Sequence, residues 1–395
     1  MKIMIQPGPL SGSVPAIPSK SHGHRLLIAA ALSHPPGTVH LATSSEDLEA
    51  TRTCLSALSE ADPVLPCRES GSTLRFLLPV AMAMKDHARF LGEGRLLQRP
   101  LSPLKEEMER HGCKFHLGKG ELEVKGRLQG GTYCLPGNIS SQYVTGLLFA
   151  LPLLDRDSEI LLTSPLESKG YVDMTLDVLE SAGVHVVEAT QEGTYGPQKT
   201  PLPKYMIPGG QQYHCQAHTT PEGDWSNGSF WRAANYVGFG NRVDCTGLSA
   251  QSLQGDRIIM DVLRDFPNTI DGSQIPDLIP ILAVVASVRP GITTINHAER
   301  LRLKESDRLE TTVRLIKDLG GEAEERPDGM VIRGKPLLRG GIVDGCNDHR
   351  IVMAAAIAAT NCMEPVTIVG AEAVNKSYPG FFADFKSLGG KINEI

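Results

Sequence analysis

The sequence predicts an α/β protein built from about six copies of one small unit, arranged as two halves of three. The chain has 395 residues, of which 41% are hydrophobic and only 5% aromatic. Leu, Ala, Val and Ile carry the apolar content, a mixture that favours helices packed on sheets over an aromatic-rich β sandwich. The length exceeds a typical domain of roughly 100–200 residues, and two recurring patterns divide the chain further.

The first pattern is a helical segment that ends at glycine and is followed by an extended segment. It occurs at Gly112, Gly183, Gly320 and Gly389, where glycine is the expected left-handed helix stop. Neighbouring glycines are roughly 70 residues apart, except for one gap of about twice that length, so the unit is longer than a solenoid repeat of about 20–50 residues. The double gap predicts one unit that has lost this mark.

The second pattern is an Ala- and Leu-rich helix, a short break and a β-rich run. It is found in segments 29–41, 147–162, 281–295 and 354–369. Because it is interleaved with the first pattern, it indicates a duplicated miniature α/β fold. The stretch Gln191–Gln212 is rich in Gly, Pro and polar residues, so we place the boundary between the halves just after it. Ligand sites form preferentially in clefts between domains, and we expect one here.

Composition argues against several classes of protein. The chain has 39 Lys and Arg against 45 Asp and Glu, a formal net charge of -6, and lacks the basic excess of a nucleic-acid coat. No apolar run approaches the ~20 residues of a membrane span, and the chain starts without a signal-peptide pattern. Its eight cysteines form no CxxC pair, which excludes a zinc ribbon. We expect a cytoplasmic protein that binds small molecules and contacts neither nucleic acid nor membrane.

Several clusters combine a Gly or Ser turn, a cation and an apolar helix. In the first, Lys20 and Arg25 follow a serine that can cap a helix, whose free N–H groups would face a bound group. Further clusters lie at 69–75, 92–100 and 140–142. Serine and glycine before a helix are ordinary caps, so each cluster alone is weak evidence. Several such clusters in one chain favour an anion-binding function over ordinary helix caps.

Two clusters in the later half are denser in charge. Lys304 and Arg308 are four residues apart on one predicted helix face, beside Glu305, and the charge pattern alone favours a solvated, salt-bridged surface. The charged triplet 348–350 runs directly into an uncharged helix. Such a helix packs inside and holds its N-terminal charges near the core. Structural and functional interpretations of the triplet are about equally supported.

Taken together, these segments resemble the enolpyruvyl transferases, and within them the family of 5-enolpyruvylshikimate-3-phosphate (EPSP) synthases, also called 3-phosphoshikimate 1-carboxyvinyltransferases. The resemblance runs from about residue 18 to 389. Its most specific segments are LRLKESDRL at 301–309, DHRIVM at 348–353 and GEGRLLQRP at 92–100. Shorter matches follow in the family's order at 140–142, 168–171, 224–226, 275–277 and 376–379.

The resemblance implies a two-domain inside-out α/β barrel, in which each domain has three βαβαββ units with helices inside and sheets outside. One domain would comprise residues 1–19 and 223–395, and the other residues 20–222. The implied reaction transfers the enolpyruvyl group of phosphoenolpyruvate (PEP) to the 5-hydroxyl of shikimate 3-phosphate, by addition and elimination, in aromatic amino acid biosynthesis. It needs no organic cofactor and no metal, and we expect a monomer.

The resemblance also implies roles for individual residues. Both substrates are polyanions, which calls for fixed cations with acid–base groups among them. The implied catalytic residues are Asp277, Glu305 and Lys20. The residues implied to bind PEP are Lys20, Gly71, Arg95, Gln142, Arg308, Arg350 and Lys376. The residues implied to bind shikimate 3-phosphate are Ser21, Arg25, Ser140, Ser141, Gln142, Ser168, Tyr171, Asp277 and Lys304.

Within this scheme, Asp277 would accept the proton of the 5-hydroxyl, and Glu305 with Lys20 or Lys376 would handle the methylene proton. The structural alternative for Asp277 is a helix N-cap after Pro276. Glu69 stands where the family often has Asn, which puts an acid near the PEP phosphate unless it turns away or pairs with a cation.

Two other functions compete with this one. The UDP-N-acetylglucosamine enolpyruvyl transferases share fold and PEP chemistry, but usually carry a reactive cysteine on a loop where this chain continues from Pro100 into Ser102-Pro-Leu-Lys. A non-catalytic anion-binding protein on the same scaffold is the second alternative, since a fold does not fix a function. The intact set of acid–base residues argues against it.

Overall fold

The computed structural model describes residues 1–195, 198–238 and 240–395. These form two compact units: unit 1 comprises Met1–Ser19 and Glu222–Ile395, and unit 2 comprises Lys20–Pro221. The stretch Gln191–Gln212, after which we placed the boundary, lies partly in a β-hairpin of unit 2. Residues 196 and 197 of that stretch lie outside the described residues.

Helices and short strands alternate along the chain. The helices are α1 (Lys20–Leu32), α2 (Glu46–Ala57), α3 (Gly71–Met84), α4 (Leu104–Arg110), α5 (Ser141–Ala150), α6 (Lys169–Ser181), α7 (Trp225–Val237), α8 (Ile259–Arg264), α9 (Ile279–Val288), α10 (Arg308–Asp318), α11 (His349–Ala359) and α12 (Phe381–Ser387). The first ten strands are β1 (Lys2–Gln6), β2 (Ser11–Pro15), β3 (Thr38–Val39), β4 (Val64–Pro66), β5 (His87–Leu91), β6 (Lys114–Leu117), β7 (Glu121–Lys125), β8 (Thr132–Leu135), β9 (Ser158–Leu162) and β10 (Val187–Tyr195). The other ten are β11 (Gln198–Ile207), β12 (His218–Thr219), β13 (Arg242–Thr246), β14 (Thr269–Asp271), β15 (Ile292–Asn296), β16 (Glu322–Arg326), β17 (Gly329–Arg333), β18 (Gly341–Asp344), β19 (Val366–Val369) and β20 (Lys391–Glu394).

Four repeats build the same four-stranded sheet. Their first two strands pair in parallel across a helix, and the fourth strand pairs antiparallel with both the second and the third. The sheets are β4-β5-β7-β6, β8-β9-β11-β10, β14-β15-β17-β16 and β18-β19-β1-β20. In the last sheet the fourth strand is β1, so that Ile3 lies opposite Ile368 on one side and Glu394 on the other. Both ends of the chain therefore complete one repeat.

The one remaining repeat of each unit, which in unit 2 comes first in the chain, is shortened in the described residues. It retains a two-stranded parallel sheet, β12 with β3 in unit 2 and β2 with β13 in unit 1. Helix α2 ends at Ala57 and β4 begins at Val64, while α8 ends at Arg264 and β14 begins at Thr269. These connections are too short for a hairpin of two strands of about five residues each. The predicted α/β repeat is confirmed, but two of the six copies lack the final hairpin.

The open edge of β13 is covered by side chains of α7. The Asn235 amide donates to the carbonyl of Val243 and accepts from its N–H, both at 2.8 Å. Arg232 donates to the carbonyl of Cys245 at 2.8 Å. An edge strand exposes unpaired backbone groups that can pair with other chains, and α7 satisfies them where the hairpin is missing.

Helices occupy the inside of each unit and sheets the outside. Every residue of α11 is buried, as are all but two of the fourteen residues of α3. A helix that is buried all round packs in a core. The strands instead alternate buried with partly exposed residues, as β5 does. None of the helices in the described ranges has the length and hydropathy of a membrane span.

Candidate active site

Arg308 is the centre of a charged cluster in unit 1. It is the first residue of α10 and only 1% exposed. Its guanidinium donates to carboxylate oxygens of Asp277 at 2.7 Å, Asp348 at 2.8 Å and Glu305 at 2.5 Å. Burial opposes the charge, but these carboxylates outweigh it and raise the pKa of Arg308. The guanidinium is a permanent cation that fixes three acids around it.

Asp277 is held by cations on two sides. Besides Arg308, its carboxylate accepts a hydrogen bond from Arg350 at 3.1 Å, and the Lys304 ammonium lies 3.7 Å away. Burial favours the protonated form, but Arg350, Lys304 and Arg308 together lower the pKa of Asp277 well below its usual range. It is therefore ionised and able to accept a proton.

The structural alternative for Asp277 is wrong. The residue at the N-cap position of α9 is Leu278, and no side chain caps that helix. The Asp277 side chain is used for the ion pairs with Arg308 and Arg350 instead.

Lys304 and Lys376 border the same cluster. Burial lowers the pKa of Lys304 to about 8, against the opposing effect of Asp277. Lys376 is 5% exposed and donates to the carbonyl of Asn347 at 2.7 Å, directly before Asp348. We call Asp277, Lys304, Glu305, Arg308, Asp348, Arg350 and Lys376 the acid–base cluster.

Arg25 occupies a different environment in unit 2. It lies on α1, is 2% exposed, and donates to the carbonyls of Tyr171 at 2.8 Å and Ser21 at 2.6 Å and to the hydroxyl of Thr175 at 2.8 Å. Within the described part of the chain, no carboxylate lies at ion-pair distance from it. Burial lowers the pKa of Arg25 to about 9, so it stays charged at neutral pH. A buried cation without a counter-ion is costly, and an anionic ligand would relieve that cost.

Gly71 lies beneath two guanidinium groups at the start of α3. A Cβ atom at Gly71 would lie 2.6 Å from an Nη1 atom of Arg75 and 2.7 Å from that of Arg99. Gln142 on α5 accepts from Arg75 at 3.1 Å and donates to Ser72 at 3.0 Å. A helix N-terminus with guanidinium and amide donors is well suited to bind a phosphate or carboxylate. Only glycine leaves the backbone accessible beneath these groups.

The other predicted residues of unit 2 lie at starts of helices. Lys20 begins α1 and forms an ion pair with Asp47 at 2.7 Å. Ser140 caps α5 by accepting from the Gln142 N–H at 3.3 Å, and Ser141 is its first, buried residue. Ser168 precedes α6 with a left-handed φ of 55°. The Arg25 guanidinium carbon lies 6.0 Å from the centroid of the Tyr171 ring.

Arg95 and Glu69 differ from the rest of the predicted set. The Arg95 side chain is exposed in the turn before residues 96–98 and forms no ion pair in the part of the chain that the structure describes. Glu69 turns toward that segment, since a Cβ atom at Gly94 would lie 2.8–3.1 Å from its carboxylate atoms. The three-residue groups of His, Cys, Asp or Glu that could hold a metal are absent from the described ranges.

Sequence reasoning missed several residues that these clusters contain. Arg75 stands four residues after Gly71, the helical spacing that puts it over the same turn, so a signal existed. Asp348 was noted only as part of a charged triplet. Ser226 lies in a segment that matches the family, but it was given no role, although it contacts Arg350. Asp47 is distant in sequence from Lys20, the cation it contacts. No local pattern marks such residues.

Comparison with known proteins identifies the family. The family described as EPSP synthase (3-phosphoshikimate 1-carboxyvinyltransferase) matches residues 58–274 and 267–385. The chain belongs to the EPSP synthase family. The 3-phosphoshikimate 1-carboxyvinyltransferase of Clostridium kluyveri is 41% identical over 432 aligned residues, which cover 99% of this chain and 98% of that protein. The enzyme of the same name from Clostridium acetobutylicum is 39% identical, with the same coverage.

Solved structures of similar proteins agree in fold. The EPSP synthase from Acinetobacter baumannii has a TM-score of 0.77 at 20% identity and covers 100% of both chains. The enolpyruvyl transferase NikO from Streptomyces tendae has a TM-score of 0.75 at 16% identity, covering 99% of this chain and 98% of that one. The family and the fold class predicted from the sequence are both confirmed.

Proposed function

We propose that this protein transfers the enolpyruvyl group of PEP to the 5-hydroxyl of shikimate 3-phosphate and releases phosphate. The observation that carries the proposal is the state of Asp277, an ionised carboxylate held between Arg308 and Arg350. A hydroxyl nucleophile needs a base, and an anionic transition state needs fixed cations beside that base. Membership of the EPSP synthase family supplies the substrates and places the reaction in aromatic amino acid biosynthesis.

The reaction would proceed in two steps. In the addition, Asp277 accepts the 5-hydroxyl proton as the oxygen bonds to C2 of PEP, while Glu305 with Lys20 or Lys376 delivers a proton to the methylene carbon. In the elimination, the methyl group returns a proton to the same residues as the bond from C2 to the phosphate oxygen breaks. The protons balance: Glu305 with Lys20 or Lys376 regains the proton that it delivered, and Asp277 passes the proton that it accepted to the leaving phosphate or to water.

The cations would neutralise the two polyanions. PEP would be bound by Lys20, Gly71, Arg95, Gln142, Arg308, Arg350 and Lys376. Shikimate 3-phosphate would be bound by Ser21, Arg25, Ser140, Ser141, Gln142, Ser168, Tyr171, Asp277 and Lys304. Two observations support these roles: Arg25 is buried without a carboxylate at ion-pair distance in the described residues, and two guanidinium groups cover the backbone of Gly71. Arg is favoured at such positions because its fork grips carboxylate or phosphate with two hydrogen bonds.

We also propose that units 1 and 2 correspond to the two expected domains, of residues 1–19 with 223–395 and of residues 20–222, and that the protein acts as a monomer in the cytoplasm. The compact packing of each unit supports the division. Light scattering should give the mass of one chain, 42.6 kDa, whereas a multiple of it would contradict the monomer. Fractionation of cells should recover the protein with cytoplasmic markers.

The function is tested by the release of phosphate from PEP, with shikimate 3-phosphate and UDP-N-acetylglucosamine offered separately. We expect release with shikimate 3-phosphate only. Release with the UDP-sugar alone would assign the chain to the other enolpyruvyl transferase, and release with neither would favour the non-catalytic protein.

The residue assignments are tested by Arg95→Ala and Lys376→Ala. Each should lower turnover at least ~100-fold, because each removes one cation that stabilises charge in the transition state. Lys386→Ala removes an exposed cation from α12 and should leave turnover unchanged. A kcat equal to that of the unmodified protein in either test variant would remove that residue from the site.

A further inference from the structure

Asp256 is a buried carboxylate for which the proposed reaction has no use. It lies in the short turn of helix Gly255–Ile258 and is 2% exposed. The hydroxyl of Ser226 is hydrogen-bonded to it, and the charged groups that face it are Asp277, Arg350 and Asp224. The surroundings of Asp256 are therefore those of the acid–base cluster, although neither its position in the sequence nor any motif indicated this.

Ser226 connects Asp256 to Arg350. The Ser226 hydroxyl accepts a hydrogen bond from Nη2 of Arg350 at 2.7 Å. A hydroxyl carries a single proton, so the proton it donates is the one directed to Asp256. The same Nη2 atom of Arg350 also donates to Asp277 at 3.1 Å. The result is a continuous chain of hydrogen bonds from Asp256 through Ser226 and Arg350 to Asp277.

The segment that carries Asp256 is anchored to the start of α7, where Ser226 lies. The side-chain oxygen of Gln254 accepts from the Trp225 N–H at 3.0 Å, and its amide donates to the carbonyl of Gly223 at 2.8 Å. Gln254 is 4% exposed, so these bonds form in the interior, where they are stronger than in water. Asp256 therefore keeps a fixed distance from Ser226.

We propose that Asp256 is a positioning residue, which holds the guanidinium of Arg350 against Asp277 by fixing the hydroxyl of Ser226. The proposal rests on the proposed function, in which Arg350 binds PEP and Asp277 accepts the hydroxyl proton. In this role Asp256 acts through Ser226 and Arg350. Without it, the Ser226 hydroxyl would turn, and Arg350 would lose one of the contacts that set its direction.

The cost of keeping an acid at this position supports a functional role. Burial and the neighbouring Asp277 raise the pKa of Asp256 to about 6, against the effect of Arg350. An apolar side chain of similar size would avoid this cost. A buried acid and a partly buried one beside one guanidinium are therefore explained better by the need to direct Arg350 than by stability.

The kinetic test compares Asp256→Ala, Asp256→Asn and Ser226→Ala. Removal of either link of the chain should raise the KM for PEP about tenfold and change kcat less, since Arg350 contacts the substrate before and during the reaction. The KM for PEP of the double variant, Asp256→Ala with Ser226→Ala, should be no higher than that of the more impaired single variant, because both substitutions interrupt one chain of hydrogen bonds. Asp256→Asn retains an acceptor for the Ser226 hydroxyl and should stay within about threefold of the unmodified protein.

The matched control is Asp261→Ala, which removes an exposed acid from α8, five residues further along the chain. It should leave the KM for PEP unchanged. Additive effects of Asp256→Ala and Ser226→Ala, or a loss in Asp256→Asn as large as in Asp256→Ala, would overturn the proposal. If Asp256→Ala does not fold, Ser226→Ala and Asp256→Asn still provide the comparison.

A second readout does not depend on activity. In a crystal structure of Asp256→Ala, Nη2 of Arg350 should have moved beyond hydrogen-bond distance of Asp277, whereas Asp256→Asn should retain the contact. An Arg350 that has not moved in Asp256→Ala would overturn the proposal even if the kinetics change. If the unmodified protein transfers no enolpyruvyl group, the proposed function fails, and the two crystal structures alone decide whether Asp256 positions Arg350.

Discussion

The two units differ in the partners that they provide for a buried guanidinium. In unit 1, Arg308 contacts three carboxylates, which raise its pKa in spite of burial. In unit 2, Arg25 donates to carbonyl and hydroxyl oxygens, has no carboxylate at ion-pair distance among the described residues, and has its pKa lowered by burial. Both side chains are almost fully buried, so exposure does not account for the difference. The difference is that the protein itself supplies carboxylates as counter-ions for Arg308, whereas none lies at ion-pair distance from Arg25 in the described residues.

This difference separates two chemical tasks. A cluster that pairs its cations with its own carboxylates can move a proton between its members at little electrostatic cost, because the transfer leaves the total charge of the cluster unchanged. A cation without its own counter-ion gains most when an anionic ligand binds. The acid–base cluster of unit 1 thus suits proton transfer, and Arg25 suits recognition of an anion. Lys20 of unit 2 is intermediate between the two arginines, because it forms an ion pair with one carboxylate, that of Asp47.

The largest effect on stability is expected for Arg308→Met. The substitution leaves Asp277, Glu305 and Asp348 facing one another without their shared cation, and breaking a buried ion pair costs about 3–5 kcal/mol. The free energy of unfolding, measured by denaturant titration at pH 7.5, should fall by that amount, and activity should be lost.

The control for this prediction is Arg314→Met, which removes an exposed arginine from the same helix. Its free energy of unfolding should stay within about 0.5 kcal/mol of the unmodified protein. Equal stabilities of the Arg308 and Arg314 variants would show that the carboxylates around Arg308 do not depend on it.

Arg25→Met should have the opposite effect on stability and a large effect on binding. Removal of a buried cation that lacks a carboxylate partner should leave the free energy of unfolding unchanged or raise it. The kcat/KM for shikimate 3-phosphate should fall at least ~100-fold, since one electrostatic contact is lost. Steady-state kinetics and denaturant titration of the same preparation measure both effects.

Arg25→Lys serves as the companion variant. It keeps the charge but loses the planar fork, so its kcat/KM should lie between those of the Met variant and the unmodified protein. A destabilised Arg25→Met protein with normal kcat/KM would mean that Arg25 supports the core, and the contrast with Arg308 would disappear.

The repeated fold could be read from the sequence because glycine marks one particular junction. Each of the four glycines that define the first pattern lies between the second helix of a repeat and its third strand, with φ between +72° and +99°. The mark is therefore present only where a final hairpin follows. The double gap in the spacing revealed the shortened repeat that contains α8. The shortened repeat that contains α2 precedes the first glycine, so no spacing could reveal it.

The candidate site was predictable where its residues are neighbours in sequence. Lys304, Glu305 and Arg308 lie within one short segment, so their proximity follows from the sequence. The predicted helix face shared by Lys304 and Arg308 is wrong, because α10 begins at Arg308 and the backbone of Lys304 is extended. Asp256 contacts Ser226 and faces Arg350 only because three separate segments pack together. A single acid between a turn and a short helix has no local signal, since buried carboxylates are identified by their partners and not by their neighbours in the chain.

The smallest expected effect is a change in pH dependence on substitution of Lys304. Burial lowers the pKa of Lys304 to about 8 even though Asp277 favours its charge, so this cation loses its proton as the pH rises through 8. The kcat/KM for shikimate 3-phosphate should therefore change by less than about a quarter between pH 7 and 7.5 and fall about tenfold per pH unit well above pH 8. Lys304→Arg keeps its charge throughout this range, so the decrease above pH 8 should disappear even if the maximal value is lower. Lys386→Arg, an exchange at an exposed position, should retain it. A decrease that persists in Lys304→Arg would show that another group titrates above pH 8. That group, and not Lys304, would then supply the positive charge near Asp277 on which kcat/KM depends.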